Sequence, residues 1–415
     1  MENNITINNR IPQLRFPGFT GEWQEKPLSH FLHEHKTKSD GKCEVHSVSV
    51  TKGVINQVEY LGRSFAASDT SKYNLAKPGD IIYTKSPTGA FPYGIVKQNK
   101  NPYNVIVSPL YAVYTPVNQY VGYILDSYFE SSVNTNNYLS SLIQKGAKNT
   151  IQISNDTFVS KSMCLPSDPA EQQKIAECLE ALDSLIVAES KELESLKAHK
   201  KGLMQQLFPQ PGATTPALRF PCFTGEWTQY KLGECFDERN EQSPESSDYP
   251  LMAFIAGKGV AAKGEKYDRS ALVKDASNKK YKRTELGDFI YSSNNLESGS
   301  IGLNRYGKAC ISPVYSIFKA KKGFDPYFIG TILTRKSFIS EMIKYRQGVV
   351  YGQWKIPEKE FLNLIIRIPS FAEQQKIAEF LEAEDQMIAA QEQKVESLKT
   401  HKKGLMQQLF PQLQK

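Results

Sequence analysis

Three histidines, His30, His33 and His35 in HFLHEH, lie close enough in sequence to hold a zinc ion. No cysteine or further histidine completes a tetrahedral set at ligand spacing, so a surface turn or helix is the expected setting. Glu189-Ser190-Lys191 has the form of half a nuclease site, but it falls in a helical heptad pattern with no partner acid on a strand. Asn101-Pro102-Tyr103-Asn104 faintly resembles the motif with which amino-methyltransferases hold a flipped base. It lacks the second proline, and no glycine-rich cofactor turn precedes it. There is no G-x-x-x-x-G-K-[ST] loop, so ATP hydrolysis by this chain is not expected. His199 and His401 recur in the same HKKGLMQQLF context without an oriented acid or nucleophile, which predicts equivalent packing or a partner contact. Cys43, Cys164, Cys178, Cys222, Cys235 and Cys310 form no C-x-x-C pair and read as reduced thiols.

What remains is recognition by hydrogen bonding. The stretches KSPTGAFPYG (85–94), YSSNNLESGSIGLNRYGK (291–308) and YRQGVVYGQWK (345–355) mix Lys, Arg, Asn, Gln and Tyr with Gly. Such side chains bond phosphates and read base edges, although they also make ordinary loops. The candidates for base and phosphate contact are Lys85, Ser86, Thr88 and Tyr93, then Asn294, Asn295, Arg305, Arg346, Gln347, Tyr351, Gln353 and Lys355.

The elements that must position these loops are written twice. Residues 170–210 return as residues 372–412 with 30 of 41 positions identical, and LRFPGFTGEW (14–23) returns as LRFPCFTGEW (218–227) with nine of ten identical. The long repeat is helical by its spacing. Ile175, Leu179, Leu182, Ile186, Leu193, Leu196, Leu203 and Leu207 make a heptad seam, and Ile377, Leu381, Ile388, Val395, Leu398, Leu405 and Leu409 make its copy. Asp168 and Pro169 open the first helix, Glu171 holds the cap-plus-three position and Pro209 closes it; Ser370 is the matching cap. Polar interruptions at Glu189, Lys200, Glu384, Gln391 and Lys402 weaken a self-sufficient seam but can fix its register. The two helices are expected to pair antiparallel as a rod of about 57 Å, carrying two domains to opposite ends in a pseudo-two-fold arrangement.

Between the repeats lie two dissimilar segments rich in Val, Ile, Tyr and Thr, punctuated by Gly, Pro and Asn. They read as α+β domains. VINQVEYL, DIIYTK, VIVSPLYAVY, DFIYSS and NLIIRIP are expected strands, and helices are expected over 121–144 and 325–345. The expected layout is a first domain over 1–169, a helix over 170–210, a second domain over 211–371 and a second helix over 372–415. Two to three domains suit 415 residues, and 40% hydrophobic with 23% charged residues supports a sizeable core. No apolar run approaches 18 residues and the start MENNITINNR is polar, so neither a membrane span nor export is expected, and a cytoplasmic setting follows.

The net charge of +7 is sorted by module. Lys and Arg against Asp and Glu number 14 to 11 in residues 24–169 and 23 to 16 in residues 228–371, but only 5 to 7 in each helix. The domains therefore suit an anion such as double-stranded DNA, and the helices suit protein partners. A duplicated coiled-coil adaptor holding two protein ligands would show the same repeat, and sorted charge argues against it. A stand-alone methyltransferase is the enzyme alternative; it would bind S-adenosylmethionine by itself.

With AEQQKIAE opening each helix, KKGLMQQLF closing it, and two dissimilar domains alternating with them, the sequence resembles the specificity (S) subunit of type I restriction-modification systems along nearly its whole length. The resemblance implies two target recognition domains, each reading half of a bipartite, asymmetric site, in a non-catalytic subunit. It implies two modification subunits, which use S-adenosylmethionine to methylate adenine, and two restriction subunits that use ATP and Mg. No cofactor is expected in this chain. Exposed helix positions proposed for docking the modification subunits are Glu171, Gln172, Gln173, Lys174, Lys201, Gln205 and Gln206. Their copies are Glu373, Gln374, Gln375, Lys376, Lys403, Gln407 and Gln408.

Overall fold

The heptad spacing produces two long helices, Pro169–Gln206 and Phe371–Leu409. Asp168 opens the first, its carboxylate accepting the Ala170 N–H at 2.8 Å, and proline at the first helical position loses no bond there. A computed structural model describes residues 10–145, 151–210, 212–262, 279–293, 296, 300–350 and 353–411. The chain divides into one unit of residues 1–191 with 392–415 and another of residues 192–391, so the boundary falls inside each helix rather than at its ends.

Each unit therefore contains one half of each helix. In the first, Lys402 meets Asp183 at 2.5 Å and Lys394 meets Glu189 at 2.7 Å. In the second, Lys200 meets Asp385, and His199 Nδ1 lies 3.5 Å from Glu384. In the first unit one partner's number rises as the other's falls, so its two helix segments run antiparallel. Charged residues at Glu189, Lys200, Glu384 and Lys402 interrupt the seam because each is paired across it.

The two dissimilar segments take one fold. In the first unit, Leu32–Glu34, Ala112–Pro116, Ile81–Thr84 and Ile95–Gln98 form an antiparallel sheet in that order. In the second, Phe236–Glu238, Ser316–Ala320, Phe289–Tyr291 and Ile301–Leu303 repeat it. Register agrees as well: Tyr114 faces Glu34 and Ile81, and Phe318 faces Glu238 and Phe289. Ahead of each sheet, Gln24–Pro27 pairs with Ser162–Leu165 and Thr228–Lys231 pairs with Ile365–Ile368, joining each domain's entrance to the strand that leads into a long helix. The central strands IIYT and FIY are buried throughout, as expected of strands covered on both faces.

Aromatic residues fill matching core positions. Phe158 stacks on Tyr83 at 4.3 Å and leans on Tyr114 at 5.5 Å, while Phe361 sits 4.5 Å from Phe318 and 5.0 Å from Tyr291. The buried phenols keep their protons, since burial raises the pKa of Tyr83, Tyr114 and Tyr291, and each donates to a backbone carbonyl: Tyr93, Asn155 and Ile356.

Local chemistry overrides the expected elements in three places. VINQVEYL is only half strand: Gly53–Asn56 is extended, and Asn56 then accepts the Val58 and Glu59 N–H groups and starts the helix Gln57–Leu61. The helical stretch read over 121–144 holds two helices, Gln119–Glu130 and Ser132–Ser140, separated because Ser131 is extended and caps the second through its hydroxyl. The helix read over 325–345 likewise breaks at the extended Arg335 into Pro326–Leu333 and Lys336–Ile343. Among the described residues no helix is long and apolar enough to cross a membrane.

Candidate nucleic-acid interface

The shared Gly-Asp turn builds the edge of each domain. Gly79 and Gly287 adopt φ of 88° and 83°, a conformation that favours glycine. Asn99 and Asn304 pair with both turn residues through their backbones, at 2.8 to 2.9 Å. The turn aspartates are buried acceptors. Asp80 takes the Lys77 N–H at 2.7 Å and the Thr115 hydroxyl at 2.9 Å, with His35 Nε2 at 2.9 Å. Asp288 takes the Glu285 N–H at 2.7 Å and faces the Arg239 guanidinium at 2.8 Å. His35 and Arg239 are equivalent residues, since each N–H bonds the same sheet position, at Val113 and Ile317. Burial holds the Asp288 carboxyl above its usual pKa although Arg239 opposes it.

In the first unit His35, which bonds the turn aspartate, also lines a cleft of about 560 Å³, together with Lys36, Lys38, Lys85, Ser86, Glu34 and Leu110 among others. Of the loop residues chosen from sequence, Lys85 and Ser86 border it, while Thr88 is exposed in a small turn closed by its mutual backbone bonds with Phe91. Tyr93 is half-buried against the core, so its ring is a packing group. Lys36 and Lys38 escaped sequence reading because they sit in the HEHKTK run, which draws attention to its histidines. Those histidines are separated: His30 ends a short 3₁₀ turn, His33 is on a strand, and His35 is taken by Asp80. Among the described residues no cluster of three metal-binding side chains occurs. Asn101 closes a loop through the Val54 carbonyl and Asn99, so the NPYN stretch is a turn.

In the second unit the equivalents of Lys36 and Lys38 are Asn240 and Gln242, both exposed. The two edges thus share a backbone and differ in the donors and acceptors they display. Arg305 has a partner within the protein that sequence reading did not foresee. It stacks over Tyr327 at 4.4 Å and reaches Asp385 at 3.3 Å, so it fastens the domain to its helix. Arg346 is half-buried, and Gln347 is exposed at a strand start. Gln353 and Lys355 lie on a short strand whose side chains are outside the description, and Asn294, Asn295 and Tyr351 lie outside the described residues.

The proposed docking face also changes. Glu171 and Glu373 are 1% exposed, each gripped by a bidentate arginine: Arg15 at 2.7 and 2.8 Å, and Arg219 at 2.8 and 2.7 Å. Trp23 adds its indole N–H to Glu171 at 3.2 Å. Gln172 and Gln374 are buried as well. Gln172 donates to the Pro166 carbonyl and accepts from Asn118, and Gln374 donates to the Pro369 carbonyl and accepts the Asp325 N–H. These four residues join helix to domain because the repeated LRFP arm folds back over the helix start. Gln173, Lys174, Lys201, Gln205, Gln206, Gln375, Lys376, Lys403, Gln407 and Gln408 are exposed.

Against known proteins, residues 224–400 match the family model described as "Type I restriction modification DNA specificity domain". The chain is 28% identical over 261 residues to the "Putative type I restriction enzyme MjaX specificity subunit" of Methanocaldococcus jannaschii, covering 60% of this chain and 59% of that one. It is 26% identical over 286 residues to the MjaVIII type I restriction enzyme specificity subunit of the same organism, covering 61% and 63%. The matches span about three fifths of those relatives' lengths. A solved structure of a type I restriction-modification S subunit from M. genitalium shares the fold, with a TM-score of 0.60 at 15% identity over 97% of this chain and 100% of that one.

Proposed function

We propose that this chain, which carries a type I restriction modification DNA specificity domain over residues 224–400, is the sequence-reading, non-catalytic subunit of a type I restriction-modification complex. The observation that carries the reading is the pair of equivalent domain edges, built on one Gly-Asp turn yet lined by Lys36 and Lys38 in one unit and by Asn240 and Gln242 in the other. Two readers with one backbone and different polar side chains suit two different half-sites on a duplex. The half-sites together make a bipartite, asymmetric target, and the antiparallel helix segments supply a coiled-coil spacer that fixes the unread gap.

Recognition is direct and electrostatic. The lysines neutralise phosphates and set the domain on the groove, while Asn, Gln, Ser and Lys at the edge address base atoms. Partners supply the chemistry: two modification subunits use S-adenosylmethionine to methylate an adenine turned out of the stack, and two restriction subunits use ATP and Mg. The exposed helix faces around Gln173, Lys174 and Lys201, with Gln375, Lys376 and Lys403, suit docking of the modification subunits.

Mapping adenine methylation in DNA from cells that express this chain with its modification subunit, against cells lacking this chain, tests the reading. A split motif with a fixed gap is expected. Unchanged methylation, or a continuous palindrome, would overturn it in favour of a protein-binding adaptor.

A further inference from the structure

Both domains end a strand in the turn Ser-Pro-X-Tyr, at Ser108–Tyr111 and Ser312–Tyr315, and the third residue is apolar and bare. Leu110 is 76% exposed and Val314 is 63% exposed. Neither sits on a loose loop. The Tyr111 N–H bonds the Ser108 carbonyl at 3.0 Å, the Leu110 N–H meets the Ser108 hydroxyl at 3.3 Å, and the Tyr315 N–H bonds the Ser312 carbonyl at 3.3 Å. Proline before the apex fixes its own φ. A buried side chain braces each turn from beneath at the same strand position: Asn74 donates to the Tyr111 carbonyl at 2.8 Å, and Lys282 donates to the Tyr315 carbonyl at 3.0 Å.

The surroundings say what meets this apex. Leu110 and Pro109 rim the cleft that holds Lys36, Lys38 and Lys85, so a polyanion held by those ammonium groups would lie against the leucine. The polar neighbours change between the domains, Lys36 to Asn240, Lys38 to Gln242 and Asn74 to Lys282, whereas the apex stays apolar. An alkyl group cannot hydrogen-bond a base edge, so its role is tolerant of sequence and can be the same in two readers of different half-sites. Insertion between stacked base pairs is such a role.

Building on the proposed DNA-reading function, we infer that Leu110 and Val314 are wedges, each entering a base step of its half-site and kinking the duplex there. The stiff turn keeps the side chain presented, and the cationic cleft in the first domain holds the backbone on either side of the opened step.

The test uses the full chain assembled with its modification subunit and a duplex bearing the mapped methylation motif, with donor and acceptor dyes at its ends. Leu110→Ala and Val314→Ala should each weaken binding about tenfold, the loss expected from removing most of a buried alkyl group, and lengthen the end-to-end distance. The salt dependence should stay that of the parent, and Leu110→Phe should keep the bend. Parent-like bending in both alanine variants, with binding still steep in salt, would overturn the wedge alone. Salt-independent binding by the parent complex would remove the DNA reading, and the wedge with it.

Discussion

Lys402 Nζ lies 2.5 Å from the Asp183 carboxylate, and Lys200 meets Asp385 in the same way with the helices exchanged. In each unit a tyrosine from the α+β domain completes the cluster: Tyr123 donates to Asp183 at 2.7 Å, and Tyr327 donates to Asp385. A cation also covers each ring, Lys100 at 4.1 Å and Arg305 at 4.4 Å. Each α+β domain is thus fastened by side chains to segments of both helices, in addition to the strand pairing at the helix start.

Removing the lysine should cost more where it is better shielded. Lys402 has 10% of its side chain exposed and also meets Glu130 at 2.5 Å, whereas Lys200 is 22% exposed. Lys402→Met should lose about 2–4 kcal/mol in urea unfolding, because Asp183 is left in a low-dielectric joint, and Lys200→Met should lose about 1–2 kcal/mol. Equal losses would show that burial does not set the size of the effect.

Acid should weaken the second joint. Burial would raise the Asp385 pKa, but hydrogen bonds from Lys200 and Tyr327 and the charges of Lys200 and Arg305 hold it below its ordinary value. A carboxyl depressed on folding contributes stability that is full above its unfolded pKa of about 4 and is lost as pH falls through the folded value. The stability gap between the parent and Asp385→Asn should therefore be constant from pH 7 to about pH 5 and shrink below pH 4. Urea midpoints across this range measure it, and a gap that closes near neutrality would contradict the assignment.

The LRFP arm should prove structural. Arg15→Ala or Arg219→Ala leaves a buried glutamate without its bidentate partner, at about 2–4 kcal/mol. Lysine at either position should restore only part of this, since an ammonium cannot match both carboxylate oxygens. Differential scanning calorimetry of the four variants decides the order, and full recovery by lysine would count against the fork geometry.

Cleft lysines should appear in the salt dependence of DNA binding. Each of Lys36→Ala, Lys38→Ala and Lys85→Ala should lower the slope of log K against log salt by about one if it neutralises a phosphate. Lys38 also donates to Asn74 at 2.6 Å, so its loss should additionally loosen the turn bearing Leu110. Titration of a labelled duplex at several salt concentrations gives the slopes, and three unchanged slopes would place the phosphate path elsewhere.

Thiol reactivity should follow burial. Cys164 and Cys235 are buried, and burial pushes their pKa values up to about 11 and about 12, so neither carries appreciable thiolate at neutral pH. Cys222 is exposed in the repeated arm. Iodoacetamide on the folded protein at pH 7.5 should modify Cys222 first and leave Cys164 and Cys235 until denaturant is added; peptide mass mapping reads the order.

The repeat and the heptad spacing of Ile175, Leu179 and their copies fixed the two long helices, because amphipathic periodicity is a local property that the chain carries along its length. The runs DIIYTK and DFIYSS likewise announced the central strands. Asn56 and Ser131 show where local reading misses, since one capping side chain outweighs the strand or helix propensity around it. Which polar residues are free for a ligand was decided only by the tertiary structure. Glu171, Gln172, Glu373, Gln374 and Arg305 have the composition of a surface, yet partners distant in sequence claim them. The edge formed by Lys36, Lys38 and Lys85 exists because a sheet brings together segments that no sequence spacing relates. Periodicity tells a residue which face of its own element it occupies; only packing tells it whether that face meets water.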